Sequence, residues 1–203
     1  MATINNKDLE KIKNLYYKDG FSMQKIADKF GVKIDAVIYF MRKHKLDRRK
    51  TNESNSINFE KSKPSFKLAK IKTEKMQLLK VAGTMLYWGE GYKTGKGATV
   101  DFANSDRDMI VLFLRFLRKI CGVDEKRLRI YPYLYANQDV DYCINFWSRA
   151  TQIDKNQFTK PYIRKDYDNN KINKMPYGMI HVRYSDKKLL DQIKNWIEEC
   201  KNI

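Results

Sequence analysis

Apolar residues recur at helical spacing through the first fifty positions. Leu9, Ile12 and Leu15 or Tyr16 share one face of a helix expected over 7–18. A second helix is expected over 22–30, with Ser22 as N-cap ahead of MQKIADKF. Gly31 then stands where a left-handed turn residue belongs, and a third helix follows over 34–45. With Ile34, Val37, Ile38 and Met41 inward, Lys33, Asp35, Ala36, Tyr39, Arg42 and Lys43 face out. Lys33 holds the N-cap position of that third helix, and Asp35 is the alternative cap one turn later. The stretch 51–70 is polar, serine-rich and without apolar periodicity, so 51–76 reads as a flexible basic linker.

Beyond it the pattern changes. LLKVAGTMLYW (78–88) is apolar except for Lys80 and Thr84, which predicts a helix buried on all sides, central or at a subunit interface. ATVDFANSD (98–106) places Val100 and Phe102 on one face of a strand, and a helix follows over 107–120, ended by Gly122. RLRIYPYLY (127–135) alternates cleanly. Leu128, Ile130, Pro132 and Leu134 share one face, and Arg127, Arg129, Tyr131, Tyr133 and Tyr135 the other. Pro132 suggests an edge position or a bulge. A helix over 139–151 should put Tyr142, Phe146 and Trp147 in the core. A strand over 157–166 groups Lys160, Tyr162 and Arg164, and one over 177–186 groups Met179, His181, Arg183 and Ser185. A last helix over 186–201 turns Leu189, Leu190, Ile193 and Trp196 inward. The fold class read from this is α+β: a sheet with helices on one face over 77–203, plus a small all-α domain over 1–50.

Charge sharpens the picture. The 203 residues carry 41 Lys and Arg against 24 Asp and Glu, a formal net charge of +17. That balance points to a polyanion, most simply nucleic acid. Residues 1–50 hold +7, 51–76 hold +3 and 77–203 hold +7, so the charge is densest in the N-terminal piece and its basic tail Arg48, Arg49 and Lys50. Three strand faces carry basic residues, mostly with tyrosines, and no acids. A wet sheet face always carries polar residues, but it normally mixes both signs; a basic, tyrosine-bearing one suits DNA. Cys121, Cys143 and Cys200 are far apart and His44 and His181 are the only histidines, which leaves little material for zinc, a disulfide framework or a His-based triad. The polar opening MATINNKDLEK is not a secretory signal, and the longest apolar run is too short for a bilayer, so no membrane partner and a cytoplasmic, nucleoid-associated location are expected. GYKTGKG (91–97) is one residue short of a phosphate-binding P-loop and lacks its Ser/Thr, which argues against an NTPase.

Two resemblances add function. Ala27, Gly31 and Val37 are spaced as in helix-turn-helix proteins, where a small residue lets two helices approach, a glycine turns, and an apolar residue seats the second helix. That likeness implies that the helix over 34–45 enters the major groove, with Lys33, Asp35, Tyr39, Arg42 and Lys43 exposed to DNA and Arg48 and Arg49 on phosphates. The plain alternative is a three-helix bundle with a solvated basic face.

The second concerns a lone acid between glycines, Gly89-Glu90-Gly91, at the end of an apolar helix. Two such acids brought together by a dimer would offer carboxylates and carbonyls to Mg²⁺. VAGTMLYWGEG (81–91) resembles the motif helix of the LAGLIDADG homing endonucleases, with Gly91 on the final glycine, Glu90 on the catalytic acid and Gly89 on the small residue before it. Met85 and Trp88 depart from the family pattern, which has a small residue and an acid there. The resemblance covers roughly 77–200, and the N-terminal helix-turn-helix makes the chain look like free-standing microbial members. It implies a half-saddle sheet laid on double-stranded DNA, and, since one motif copy is present, a homodimer joined through Ala82, Met85 and Gly89. It implies Glu90 as catalytic acid and, with Gly89, as metal site for Mg²⁺. Arg127, Arg129, Tyr131, Tyr133, Lys160, Tyr162, Arg164 and Arg183 would contact DNA from the sheet, and Lys93, Lys96, Lys160 and Arg164 are candidates for stabilising developing charge. The expected function is thus a site-specific DNA endonuclease. The alternatives are a non-cleaving transcription regulator that uses the second domain for dimerisation and DNA grip, and, more remotely, an RNA binder.

Overall fold

The computed structural model describes residues 4–93, 98–164 and 175–202. The chain divides into two compact units, Met1–Lys63 and Pro64–Ile203.

In the first unit, helix α1 (Leu9–Lys13) is preceded by a 3₁₀ turn, Asn6–Asp8, and runs on into a π-helical turn, Asn14–Lys18. Helix α2 (Met23–Phe30) starts at Ser22, whose hydroxyl accepts the Lys25 N–H at 3.1 Å. It stops at Gly31, whose φ of 64° is the left-handed conformation that glycine adopts without a Cβ clash. Helix α3 (Ile34–Lys43) begins directly after Lys33, so Asp35 lies inside the first turn instead of capping a later start. Ile12, Leu15, Tyr16, Ile26, Ala27, Val37, Phe40 and Met41 form the core. Ile34 and Ile38, expected inward, are half-buried; Phe40 takes the inner position instead.

The expected flexible linker over 51–76 is largely ordered. Thr51–Lys61 is helix α4, whose Glu53 carboxylate accepts the Lys50 N–H at 3.1 Å. Its Ile57 packs beside Gly20 and its Lys61 donates to the Asp19 carbonyl, which assigns it to the first unit. Residues 65–69 form an extended strap on the second unit. Lys67 N–H donates to the Gly122 carbonyl at 3.0 Å and Ala69 N–H to the Ile120 carbonyl at 2.9 Å. Polar composition hid this, because the strap is held by backbone and serine hydrogen bonds instead of apolar periodicity.

The second unit is α+β. Helix α5 (Glu74–Glu90) leads to strand β1 (Val100–Asn104). Helix α6 (Arg107–Phe116) runs into a π-helical turn, Leu117–Cys121, and is followed by β2 (Arg129–Tyr135), α7 (Val140–Thr151), β3 (Tyr162–Arg164), β4 (Met179–Tyr184) and α8 (Lys187–Lys201). The sheet order is β1-β4-β2-β3, antiparallel except for the parallel β2–β3 pair. Burial alternates along β4 and most of β2, and Val100, Phe102, Ile130, Leu134, Ile180, Val182 and Tyr184 are buried with the inner faces of the helices. Phe113 stacks on Phe102 with centroids 4.3 Å apart, and Phe116 meets Trp196 edge-on at 5.9 Å, tying α6 to the sheet and to α8.

Several expectations change. Pro132 lies in an interior strand, not at an edge. The Ile130 carbonyl accepts from Thr159 N–H, and Ala136 N–H donates to the Arg164 carbonyl, so even-numbered residues of β2 point their backbone groups toward the β3 side. Pro132 therefore aims its donor-less nitrogen into the gap between the Ile130–Phe158 bridge and the start of the β3 ladder at Tyr133–Tyr162. Among the described residues, the strand expected over 157–166 covers Tyr162–Arg164, since Lys155–Gln157 is a 3₁₀ turn and Lys160 lies ahead of the ladder; 165 and 166 fall outside the described residues. Tyr142, expected in the core, is exposed, while its helix neighbour Trp147 is buried with Nε1 donating to the Tyr177 carbonyl at 2.8 Å.

Candidate nucleic-acid interface

Three surfaces hold the predicted site residues. On the first unit, Lys33, Asp35, Tyr39, Arg42 and Lys43 are all exposed along α3, with Arg48 exposed beyond it. Buried Ala27 and Val37 and the left-handed Gly31 seat α3 against α2, so its outer face is presented on a fixed base. Arg49 departs from this set. Its side chain donates to the Phe21 carbonyl and lies 4.1 Å from the Tyr16 ring centroid, and its N–H donates to the Tyr16 hydroxyl at 2.9 Å. It fastens the tail to its own unit instead of reaching outward.

The second surface is the open face of the sheet, whose register sets residues side by side. Asp101, Arg183 and Arg129 form one row across β1, β4 and β2; Ala103, His181 and Tyr131 form the next; Met179, Tyr133 and Tyr162 the third; Tyr135 and Arg164 the last. Tyr133 lies 4.5 Å from the His181 ring and 5.2 Å from the Tyr162 ring, an aromatic run across three strands. Arg127 precedes β2 in a 3₁₀ turn and donates to the Ser185 carbonyl at 2.8 Å, so it stands apart from these rows.

Asp101 was not a sequence candidate. It is a buried acid in the open face, with Oδ2 accepting Arg183 Nε–H at 2.6 Å and Oδ1 2.8 Å from His181 Nδ1. Burial works against the Arg183 charge, but the Asp101 carboxylate, with Tyr131, overcomes it and holds the guanidinium pKa above its ordinary value. The guanidinium carbon lies 4.0 Å from the Tyr131 ring centroid. Around this pair opens a recess of about 230 Å³ lined by Tyr92, Thr99, Asp101, Arg129, Tyr131, Arg183 and Ser185. The available signal was the alternation of β1: Asp101 lies between Val100 and Phe102, so their inward packing sends it to the open face.

The third surface is the end of α5. Within the chain this helix buries one side only, through Gly83, Thr84 and Tyr87. The expectation of burial all round therefore fails for a single copy: Leu78 is 64% exposed, Ala82 and Met85 are half-buried, and Gly89 is exposed with open space where a Cβ would sit. These four residues form one outward stripe at helical spacing. Gly91 differs from Gly89, because a Cβ there would lie 2.5 Å from the Tyr87 ring and carbonyl. Tyr87 donates to the Tyr92 carbonyl at 2.9 Å, and burial pushes its phenol pKa up to about 12. Glu90 is exposed as the last residue of α5. Lys93 donates to the Trp88 carbonyl, a cation at the negative helix end. Trp88 and Lys93 line a groove of about 210 Å³ with Lys194, Ile197, Glu198 and Lys201. Lys194 and Lys201 were not candidates; their seven-residue spacing on α8 was the signal. Lys96 falls outside the described residues.

Among the described residues no three His, Cys, Asp or Glu side chains are grouped to hold a metal ion, and no helix is long and apolar enough to cross a membrane. Cys121, Cys143 and Cys200 are unbridged. No protein-family model, no curated protein and no solved structure matches the chain.

Proposed function

We propose that this chain is a site-specific DNA-binding protein that acts as a homodimer, and that it cleaves its site as a LAGLIDADG-type endonuclease. The observation that carries the binding reading is the open sheet face, where Arg129 and Arg183 line a recess with Tyr131, and Tyr133 and Tyr162 continue the face across β2 and β3. Arginine and tyrosine on a pleated surface suit base edges and phosphates. The α3 face of the first unit, with Lys33, Tyr39, Arg42 and Lys43 exposed, supports a second contact of the helix-turn-helix kind. Two modules on one chain add affinity through linkage. The Leu78, Ala82, Met85 and Gly89 stripe is the surface for a second copy, with glycine and alanine allowing close approach.

Dimerisation would bring two Glu90 side chains together. One chain contributes one exposed carboxylate at a helix end, which is half of an oxygen site; two copies fit a divalent cation. Mg²⁺ there would supply charge neutralisation and water activation for phosphodiester hydrolysis. In this reading Glu90 is the catalytic residue, and Lys194 and Lys201, in the groove lined by Trp88, hold the phosphate backbone.

A regulator that binds without cutting is the second reading. It is favoured by the Lys93 contact, which occupies the Trp88 carbonyl at the helix end where a metal site would draw its oxygens. Selection from a randomised duplex library, with wild type and Glu90→Gln and with and without Mg²⁺, separates the two. The nuclease reading expects cutting by wild type alone and binding by both. Binding by both without cutting leaves the regulator. Cutting by Glu90→Gln removes Glu90 from the active site, and no selection by wild type removes the DNA-binding reading.

A further inference from the structure

We infer that Arg183 is a guanine-reading residue, held in reading geometry by Asp101; the inference rests on the DNA-binding reading above. An arginine recognises guanine when two of its N–H groups meet O6 and N7 in the major groove, and it does so best when the guanidinium cannot turn. Arg183 meets that condition through two neighbours, Asp101 and Tyr131. Asp101 accepts its Nε–H at 2.6 Å. The other Asp101 oxygen is taken up by His181 at 2.8 Å, so the carboxylate grips the guanidinium at one point and does not close over its fork. The ring of Tyr131 packs against it, its centroid 4.0 Å from the guanidinium carbon.

Beside the guanidinium opens the recess that Arg183 lines with Arg129, Thr99 and Ser185. Thr99 and Ser185 hydroxyls are 3.1 Å apart on the wall. Arg129 is tied by Nη1 to the Lys126 and Leu128 carbonyls, both at 2.7 Å, and stands as the flanking cation. A buried ion pair is weak evidence for stability as such. A carboxylate spent on holding one arginine in a concave surface gains its purpose from what the arginine then reads.

The test uses full-length protein. Duplex selection with wild type should return a site with one invariant guanine in each half. Arg183→Lys, which keeps the charge and loses the fork, should relax that position and leave the others unchanged. Independently of any variant, replacing that guanine by 7-deazaguanine, which lacks the N7 acceptor, should weaken wild-type binding about 10- to 100-fold. The same replacement should have no effect on Arg183→Lys. If Arg183→Lys selects the same site as wild type, or weakens all sequences equally with the salt dependence kept, Arg183 is a phosphate contact and the inference is wrong. If no guanine is sensitive to 7-deaza replacement while wild type still selects a site, the inference fails and the DNA-binding reading survives. If wild type selects no site, both fall.

Discussion

Ser65 and Asp186 stand far apart in the chain and share two hydrogen bonds: Asp186 Oδ2 accepts the Ser65 N–H at 2.8 Å and its hydroxyl at 2.7 Å. The other oxygen, Oδ1, caps α8 by accepting from Lys188 N–H at 2.9 Å and Leu189 N–H at 3.2 Å. One carboxylate thus closes a helix and clamps the strap that enters the second unit. Tyr184 completes the clamp, donating to the Ser65 carbonyl at 2.5 Å.

That clamp makes stability depend on acid. Burial pushes the Asp186 pKa up, but the hydrogen bonds from Ser65, Leu189 and Lys188 outweigh it and hold the carboxyl below the usual carboxylate range. A depressed folded pKa stabilises above the unfolded value of about 4 and is lost as pH falls through the folded value. Asp186→Ala should cost about 1–2 kcal/mol at neutral pH from the lost cap and clamp. The gap in unfolding free energy between wild type and Asp186→Ala should be flat above about pH 5 and shrink below pH 4. Denaturant titrations across that range check it, and a gap that grows on acidification would refute the sign.

Gly83 and Gly89 lie on the same helix and should respond in opposite ways. A Cβ at Gly83 would sit 2.1 Å from the Phe116 ring, so Gly83→Ala forces α5 away from α6 and should cost about 1–3 kcal/mol. Gly89→Ala meets open space in the single chain, and a helix interior favours alanine, so the fold should be unchanged or slightly more stable. Thermal melts of the two variants give the comparison directly.

The outward stripe of α5 predicts a separation of assembly from folding. Met85→Lys places a charge on a face that the single chain leaves half open, so at protein concentrations low enough for wild type to be monomeric the melting free energy should move by no more than about 0.5 kcal/mol. Light scattering should nevertheless show loss of the dimer. A wild type that stays monomeric at micromolar concentration, with and without DNA, would remove the paired Glu90 site.

On the first unit, Arg42 and Arg49 should part company. Arg42→Ala removes an exposed cation and should lower DNA affinity without a change in melting. The slope of log affinity against log salt should fall by about 0.9 for each phosphate that the variant no longer neutralises. Arg49→Ala removes the bond to the Phe21 carbonyl and the stacking on Tyr16, and should destabilise the unit by about 1–2 kcal/mol. Melting and binding isotherms on the same two variants separate the roles.

Much of the fold was legible because its signals are local. Ser22 and Gly31 bound α2, Gly122 with φ of 60° ends the helical run after α6, and alternation placed Val100, Phe102, Leu128, Ile130 and Leu134 inside. A cap, a left-handed turn and a two-residue period each depend on a few neighbouring residues. The same locality identified Arg129, Tyr131, Tyr133 and Arg183 as one-sided residues of their strands.

What the sequence by itself determined, then, is most of the elements, α4 excepted, with most of their buried faces and the excess of positive charge. The tertiary structure alone decided which of those charges stand together and which are spent. Arg183 meets Asp101 only because β4 pairs with β1 across about eighty residues, and Arg49 and Lys93 are drawn into carbonyls of their own units. Strap residues 65–69 look like a linker until Asp186 and the turn before Gly122 supply their partners. The reason is physical: side-chain direction and helix periodicity are set by the local backbone, whereas an ion pair or a strand register is set by contacts that exist only once distant segments have packed.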